Sequence, residues 1–183
     1  MFRAMERHTS MKTLTTIAFL STLLATSSLV RAEDMPKPIA DLEKFVGAWK
    51  GTGTVTIGKD SAKITVQLTC KRTSAKAGVS CITKMTGIPG MAAYEETDLF
   101  GFEPGSNTYH WFAVTNAGET HDHVAKASDE LKLQFVYTGT QEGKPFKEVN
   151  DLEFSKDGKT MSVRSEAFVA GASVAVFEIK AKK

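Results

Sequence analysis

The sequence predicts an all-β chain: an antiparallel up-and-down β-barrel of about ten strands, preceded by a short N-terminal helix. Three observations predict it. Hydrophobicity alternates with period two from Gly47 onward. Turn residues recur between the alternating runs. No helical stretch after Gly47 is long enough to serve as a βαβ crossover. A meander of this many short strands closes most simply on itself, which removes its edges. A two-sheet sandwich is the alternative that the same strands allow.

The first element is a leader. Arg3, Arg7 and Lys12 precede a short apolar run, Leu14 to Leu24, that is interrupted by Ser and Thr. A basic segment followed by a brief apolar one suits the secretory machinery, and the run is too short for a comfortable membrane span. Val30 and Ala32 put small residues at the third and first positions before Glu33, which marks a cleavage site. Residues 1–32 are therefore read as a signal peptide and residues 33–183 as one domain. Met11 serves equally well as the start, and a retained N-terminal anchor is the competing reading. The chain then belongs in the periplasm or outside the cell.

Removal of the leader changes the charge. The full chain carries 23 basic and 21 acidic side chains; the leader holds Arg3, Arg7, Lys12 and Arg31 against Glu6, leaving 19 against 20. The basicity belongs to the leader, so no basic stripe remains to neutralise nucleic-acid phosphates. Stable membrane insertion after cleavage is not expected either. The sequence does not set the oligomeric state.

In the mature chain, Ile39, Leu42 and Phe45 fall at helical spacing and predict a helical turn or two. Trp49, Val55 and Ile57 then alternate with Lys50, Thr52, Thr54 and Thr56. Ile64, Val66, Leu68 and Cys70 alternate with polar neighbours, as do Leu131, Leu133, Phe135 and Tyr137. These are strands with one wet face. Turn chemistry separates the runs at 58–60, 77–78, 87–90, 103–107, 116–118, 128–129, 139–143, 156–158 and at Gly171.

Cys70 and Cys81 flank a turn. If Ser74 to Ala77 form the loop, the two cysteines sit directly opposite on adjacent strands, and an oxidising compartment would join them. Two buried thiols are the other possibility. The spacing fits neither a C-x-x-C pair nor a zinc knuckle.

Phe45-Val46-Gly47-Ala48-Trp49 resembles the G-x-W opening of lipocalin-like (calycin) barrels. In those barrels the Trp closes the floor from the first strand. Phe100-Gly101-Phe102-Glu103-Pro104, Tyr109-His110-Trp111, Asn116-Ala117-Gly118, Tyr137-Thr138-Gly139-Thr140 and Gly143-Lys144-Pro145-Phe146 are similar to a group of secreted bacterial lipocalin-like proteins. More distantly, the chain is similar to ten-stranded nitrobindin-like barrels. The resemblance implies a fold with an interior pocket rather than a reaction. Nitrobindin-like proteins hold haem through a histidine on a late strand, and no histidine follows His123 here. The haem ligand is not carried over, and the sequence names no cofactor.

Histidines concentrate in one hairpin. His121-Asp122-His123 presents two imidazoles on one strand face, a common way to offer two metal ligands. A two-residue loop at Asn116-Ala117 would place His110 opposite His123. A three-residue loop ending at Gly118 would place Trp111 there and turn His110 away, and Gly118 sits where that loop needs a left-handed residue. Solvated or hydrogen-bonded histidines remain the simpler reading, because a metal site also needs a third ligand and supporting hydrogen bonds. A cupin-like use of His121 and His123 would draw on Glu130, but the Gly-rich frame is missing.

Glu96 and Asp98 share a face with Tyr94, Phe100 and Phe102 by alternation. If that face is interior, their pKa values rise. Because buried unpaired acids are costly, a register shift or an exposed strand end is the expectation. Met85, Met91 and Tyr94 around Gly87-Ile88-Pro89-Gly90 suggest a pocket mouth. No nucleophile elbow, phosphate loop or dinucleotide fingerprint occurs, so a binding protein is expected rather than an enzyme.

The leading reading is an exported barrel that binds a small, largely apolar molecule. Tyr94, Trp111, Phe112 and Phe135 are the candidate lining, with His110, His121 and His123 as candidate polar contacts; the register leaves open which of His110 and His121 faces inward. A metal-dependent enzyme or metal carrier built on His121 and His123 is one alternative, and a structural or assembly protein without a pocket is another.

Overall fold

The computed structural model describes residues 37–126 and 132–183. The leader and its cleavage point lie outside the described residues, as do Ser128, Asp129, Glu130 and Leu131.

A short helix α1 (Lys37–Asp41) runs into a 3-10 turn (Leu42–Phe45). Ten strands follow: β1 (Gly47–Ile57), β2 (Asp60–Arg72), β3 (Val79–Thr86), β4 (Tyr94–Glu103), β5 (Thr108–Thr115), β6 (Thr120–Lys126), β7 (Lys132–Gln141), β8 (Lys144–Phe154), β9 (Thr160–Val169) and β10 (Ala172–Lys182). Each pairs antiparallel with its sequence neighbours, and β1 pairs with both β2 and β10. Among the described residues the sheet is thus a closed ten-stranded barrel of the calycin-like type, and closure removes the open edges that template pairing with another chain.

Alternation decides which residues enter the barrel. On β2 the inward positions are Ile64, Val66, Leu68 and Cys70, and on β8 they are Phe146, Glu148, Asn150, Leu152 and Phe154. One end is sealed. Phe45 is carried under the barrel by the 3-10 turn, stacks on Phe100 with ring centroids 4.4 Å apart and meets Phe154 edge-on at 4.9 Å. Trp49 of the G-x-W segment is buried beside Phe154 and donates Nε1–H to the Phe45 carbonyl at 2.7 Å. Burying each of these side chains contributes about 1.5–3 kcal/mol or more. Arg72 ties the helical segment to the wall through Glu43 and the Ile39 carbonyl.

The β2–β3 loop spans Ser74 to Ala77, with Thr73 N–H donating to the Gly78 carbonyl. That register sets Cys70 opposite Cys81, and the two form a disulfide. The turn expected over residues 139–143 is shorter. β7 continues to Gln141, and only Glu142 and Gly143 make the turn, both with positive φ. Gly139 is a strand residue instead, at a position where a Cβ would lie 2.3 Å from the Tyr137 hydroxyl. The glycine reads as turn chemistry in the sequence but serves to admit a neighbouring ring.

Candidate functional site

The barrel interior holds a cavity of about 430 Å³, closed below by Phe45 and opening between hairpins at the other end. Val66, Leu68, Met85, Ile88, Phe177 and Ile179 form much of its apolar wall. Ile57 and Met91 stand at the mouth, 41% and 38% exposed. Size and character fit a pocket for a small organic molecule. A broader depression of about 1250 Å³ lies on the outer face, but it is more open, lined in part by Thr52, Thr54, Lys63, Gln134 and Glu153, and has no aromatics. The interior cavity is the stronger candidate.

Two polar groups interrupt the apolar wall. The first is on β4. Asp98 is 2% exposed, and its two oxygens accept from Trp111 Nε1 at 2.6 Å and Thr83 Oγ1 at 2.9 Å. Glu96 accepts from the Tyr94 hydroxyl. Burial pushes the Glu96 carboxyl well above its ordinary value, the hydrogen bond and charge of Asp98 add to this, and the Tyr94 hydrogen bond partly opposes it. Burial, followed by the Glu96 carboxyl, likewise raises the Tyr94 phenol far beyond the usual tyrosine range. The expectation of a register shift or an exposed strand end for these acids is corrected. Both face inward; for Asp98 the cost of burial is met by donors from β3 and β5 that no local stretch of sequence reveals, and for Glu96 by Tyr94 on its own strand.

The second group joins β6 and β8. The β5–β6 connection is the three-residue loop Asn116-Ala117-Gly118, with Gly118 at φ +84° and Trp111 opposite His123. Alternation then points His121 and His123 inward. His123 is 2% exposed and stacks on Trp111 at 4.8 Å; His121 stacks on Tyr137 at 4.1 Å. Glu148 Oε2 lies 3.1 Å from His123 Nε2 and 3.4 Å from His121 Nδ1. Its other oxygen, Oε1, accepts from Asn150 Nδ2 at 3.3 Å and Ser165 Oγ at 3.2 Å. Burial works to raise the Glu148 carboxyl, but the hydrogen bonds from His121, His123 and Asn150 and the His123 charge outweigh it and hold it well below the usual carboxylate range.

Of the residues singled out by sequence, Tyr94, Trp111, His121 and His123 line the cavity together. Phe135 is fully buried but belongs to the core, edge-on to Trp111 at 5.7 Å. Phe112 is corrected, and His110, whose side the sequence left open, faces outward. Trp111 faces inward, so period two turns both its neighbours out. Phe112 is 43% exposed and opposite Leu99, on an outer apolar strip with Val114 and Ile82. His110 pairs with Asp122 on the surface at 3.1 Å. The Met85, Met91 and Tyr94 mouth does border the cavity. The cupin-like reading needs Glu130, outside the described residues; the carboxylate that meets the histidines is Glu148.

Glu148, Asn150, Ser165 and Tyr137 were not picked out by sequence as site residues. A signal for the first two was present: Phe146, Leu152 and Phe154 alternate with Lys147, Asp151 and Glu153, which puts positions 148 and 150 on the apolar side.

No family model matches the chain, and no curated protein matches it. Among solved structures it is similar to an S-type phycobiliprotein lyase from Guillardia theta, with a TM-score of 0.51 and 8% identity. The match covers 78% of this chain and 89% of that one. At that identity the likeness carries the fold alone.

Proposed function

We propose that the protein is an exported barrel that holds a small, largely apolar molecule in its interior. The observation that carries this reading is the cavity itself: a closed floor, an open mouth, apolar walls and two inward polar groups that would orient a cargo. A barrel serving only as scaffold would be expected to fill this space with side chains. The cargo's apolar body would lie against Val66, Met85 and Phe177. Its polar end would meet Tyr94 and Glu96 on one side, or His121 and Glu148 on the other. At about −0.3 kcal/mol per atom, a ligand of about 25 non-hydrogen atoms reaches about −7.5 kcal/mol, a micromolar affinity.

Export is part of the proposal. The leader pattern before Glu33 and the Cys70–Cys81 disulfide support it, since disulfides persist in oxidising compartments. Among the described residues, no helix is long and apolar enough to cross a membrane. The phycobiliprotein lyase shares the barrel, but its identity is too low for any of its chemistry to be carried over.

Native mass spectrometry of the chain, purified without denaturation from an oxidising compartment, tests the reading. The expected spectrum shows an adduct of a few hundred daltons that denaturation releases. Identical native and denatured masses, with no uptake of added apolar compounds, would contradict it.

A further inference from the structure

We infer that His121, His123 and Glu148 form a binding site for a first-row divalent metal ion in the cavity wall, with its remaining coordination positions open to the cavity.

Three donor atoms converge there: His121 Nδ1, His123 Nε2 and Glu148 Oε2, all within 4.8 Å of one another. The two nitrogen–oxygen separations are 3.4 and 3.1 Å. With bonds of about 2.0–2.1 Å, donors around a tetrahedral zinc ion stand about 3.3 Å apart. The nitrogen–oxygen separations match this spacing, and the two nitrogens, within 4.8 Å of each other, would close toward it on binding. The pair of histidines in sequence lacked a third ligand and supporting hydrogen bonds. The fold supplies both, from β8 and β9.

The supporting contacts aim the donors. Asn150 and Ser165 occupy Glu148 Oε1 and leave Oε2 directed at the two rings. His123 is held flat against Trp111, and His121 against Tyr137. Such partners fix the ring orientation of metal-binding histidines and tune their basicity.

The contacts of His123 are compatible with a bound ion. Its Nδ1 faces the Trp111 carbonyl at 3.4 Å, and its Nε2 faces Glu148. With a cation between Nε2 and Oε2, Nδ1–H would donate to the carbonyl and the Nε2 lone pair would go to the metal.

Two imidazoles and one carboxylate select among metals. Calcium and magnesium prefer all-oxygen shells, whereas this donor set suits zinc and its first-row neighbours. Three protein ligands leave a position open to an added ligand, unlike a closed structural site. The open position faces the cavity, so a bound ion would capture an anionic or chelating head group on an apolar cargo. That last consequence rests on the cargo reading; the metal site does not.

The test titrates the chelator-stripped full-length mature chain with Zn²⁺ alone, using a competing chromophoric chelator. Co²⁺ then serves as a spectroscopic probe on the unaltered protein. One Zn²⁺ per chain and a visible Co²⁺ spectrum with nitrogen ligation are expected. His121→Ala and Glu148→Gln should each weaken binding about 100-fold or more, since losing even a supporting contact costs about 10- to 100-fold. His110→Ala should leave binding unchanged. Near-UV circular dichroism checks that the variants fold. Well under one ion per chain, no Co²⁺ spectrum, or unaltered binding in the folded variants would overturn the site. A chain that binds an apolar probe but takes up no Zn²⁺ would overturn the metal site and spare the cargo reading. A chain that takes up Zn²⁺ but binds no apolar probe would do the reverse.

Discussion

Asp98 and Glu96 lie two positions apart on β4 and solve the cost of burial differently. Asp98 accepts two hydrogen bonds, from Trp111 and Thr83, and is stabilised as an acceptor. Glu96 lies between Tyr94 and Asp98, with Glu148 adding repulsion from across the cavity. Burial first, and Asp98 second, raise the folded-state pKa of Glu96 above its ordinary value of 4.5. The stability linked to this proton is therefore fully present below the ordinary value and is lost as pH rises through the folded one. Gln mimics the protonated acid, keeping an acceptor for Tyr94 and gaining a donor for Asp98. Glu96→Gln should match the native chain in melting temperature at about pH 4, then gain an advantage that widens as pH rises above the ordinary glutamate value. Parallel melting curves across that range would show that Glu96 ionises freely.

Among the elements, the hairpins were the most legible. Gly118 needs a positive φ, and that one requirement fixed the β5–β6 loop length, the Trp111–His123 pairing and the outward turn of His110. The β2–β3 loop set the cysteine register in the same way. A strand face was harder to read where inward positions are polar. Glu96, Asp98, Glu148 and Asn150 interrupt the apolar alternation, and their partners come from strands distant in sequence: Trp111 for Asp98, and the two histidines for Glu148. Trp111 and Phe112 are adjacent, so alternation admits only one of these two aromatics to the lining. The disulfide belongs to this scale too. It closes a short loop, with a sequence separation of 11 residues, so the chain-entropy model assigns it about 2–3 kcal/mol. Replacing Cys70 and Cys81 together by alanine should lower unfolding free energy by about that amount in denaturant titrations. No change in midpoint would mean that the barrel holds this hairpin equally well without the link.

For the whole molecule, closure of ten strands creates an interior that the side chains do not fill. The sealed end is built from large aromatics: Phe45, Trp49, Phe100 and Phe154. Toward the mouth the inward positions include Ala113, Thr115, Ala167 and Ala175, and these small side chains leave the space open. The aromatic floor and the small residues above it separate stability from binding along the barrel axis. The same separation makes the cavity testable without dismantling the fold.

The most direct measurement is a fluorescence titration of the native chain and Ala113→Leu with an environment-sensitive apolar probe, with melting temperatures recorded in parallel. Ala113 is buried and borders the cavity, so a leucine there should grow into the open volume. The expected result is saturable micromolar binding of one probe by the native chain, weakened about 10-fold or more in the variant, whose melting temperature is unchanged or higher. Equal binding by two well-folded proteins, or binding that never saturates, would contradict an interior binding site.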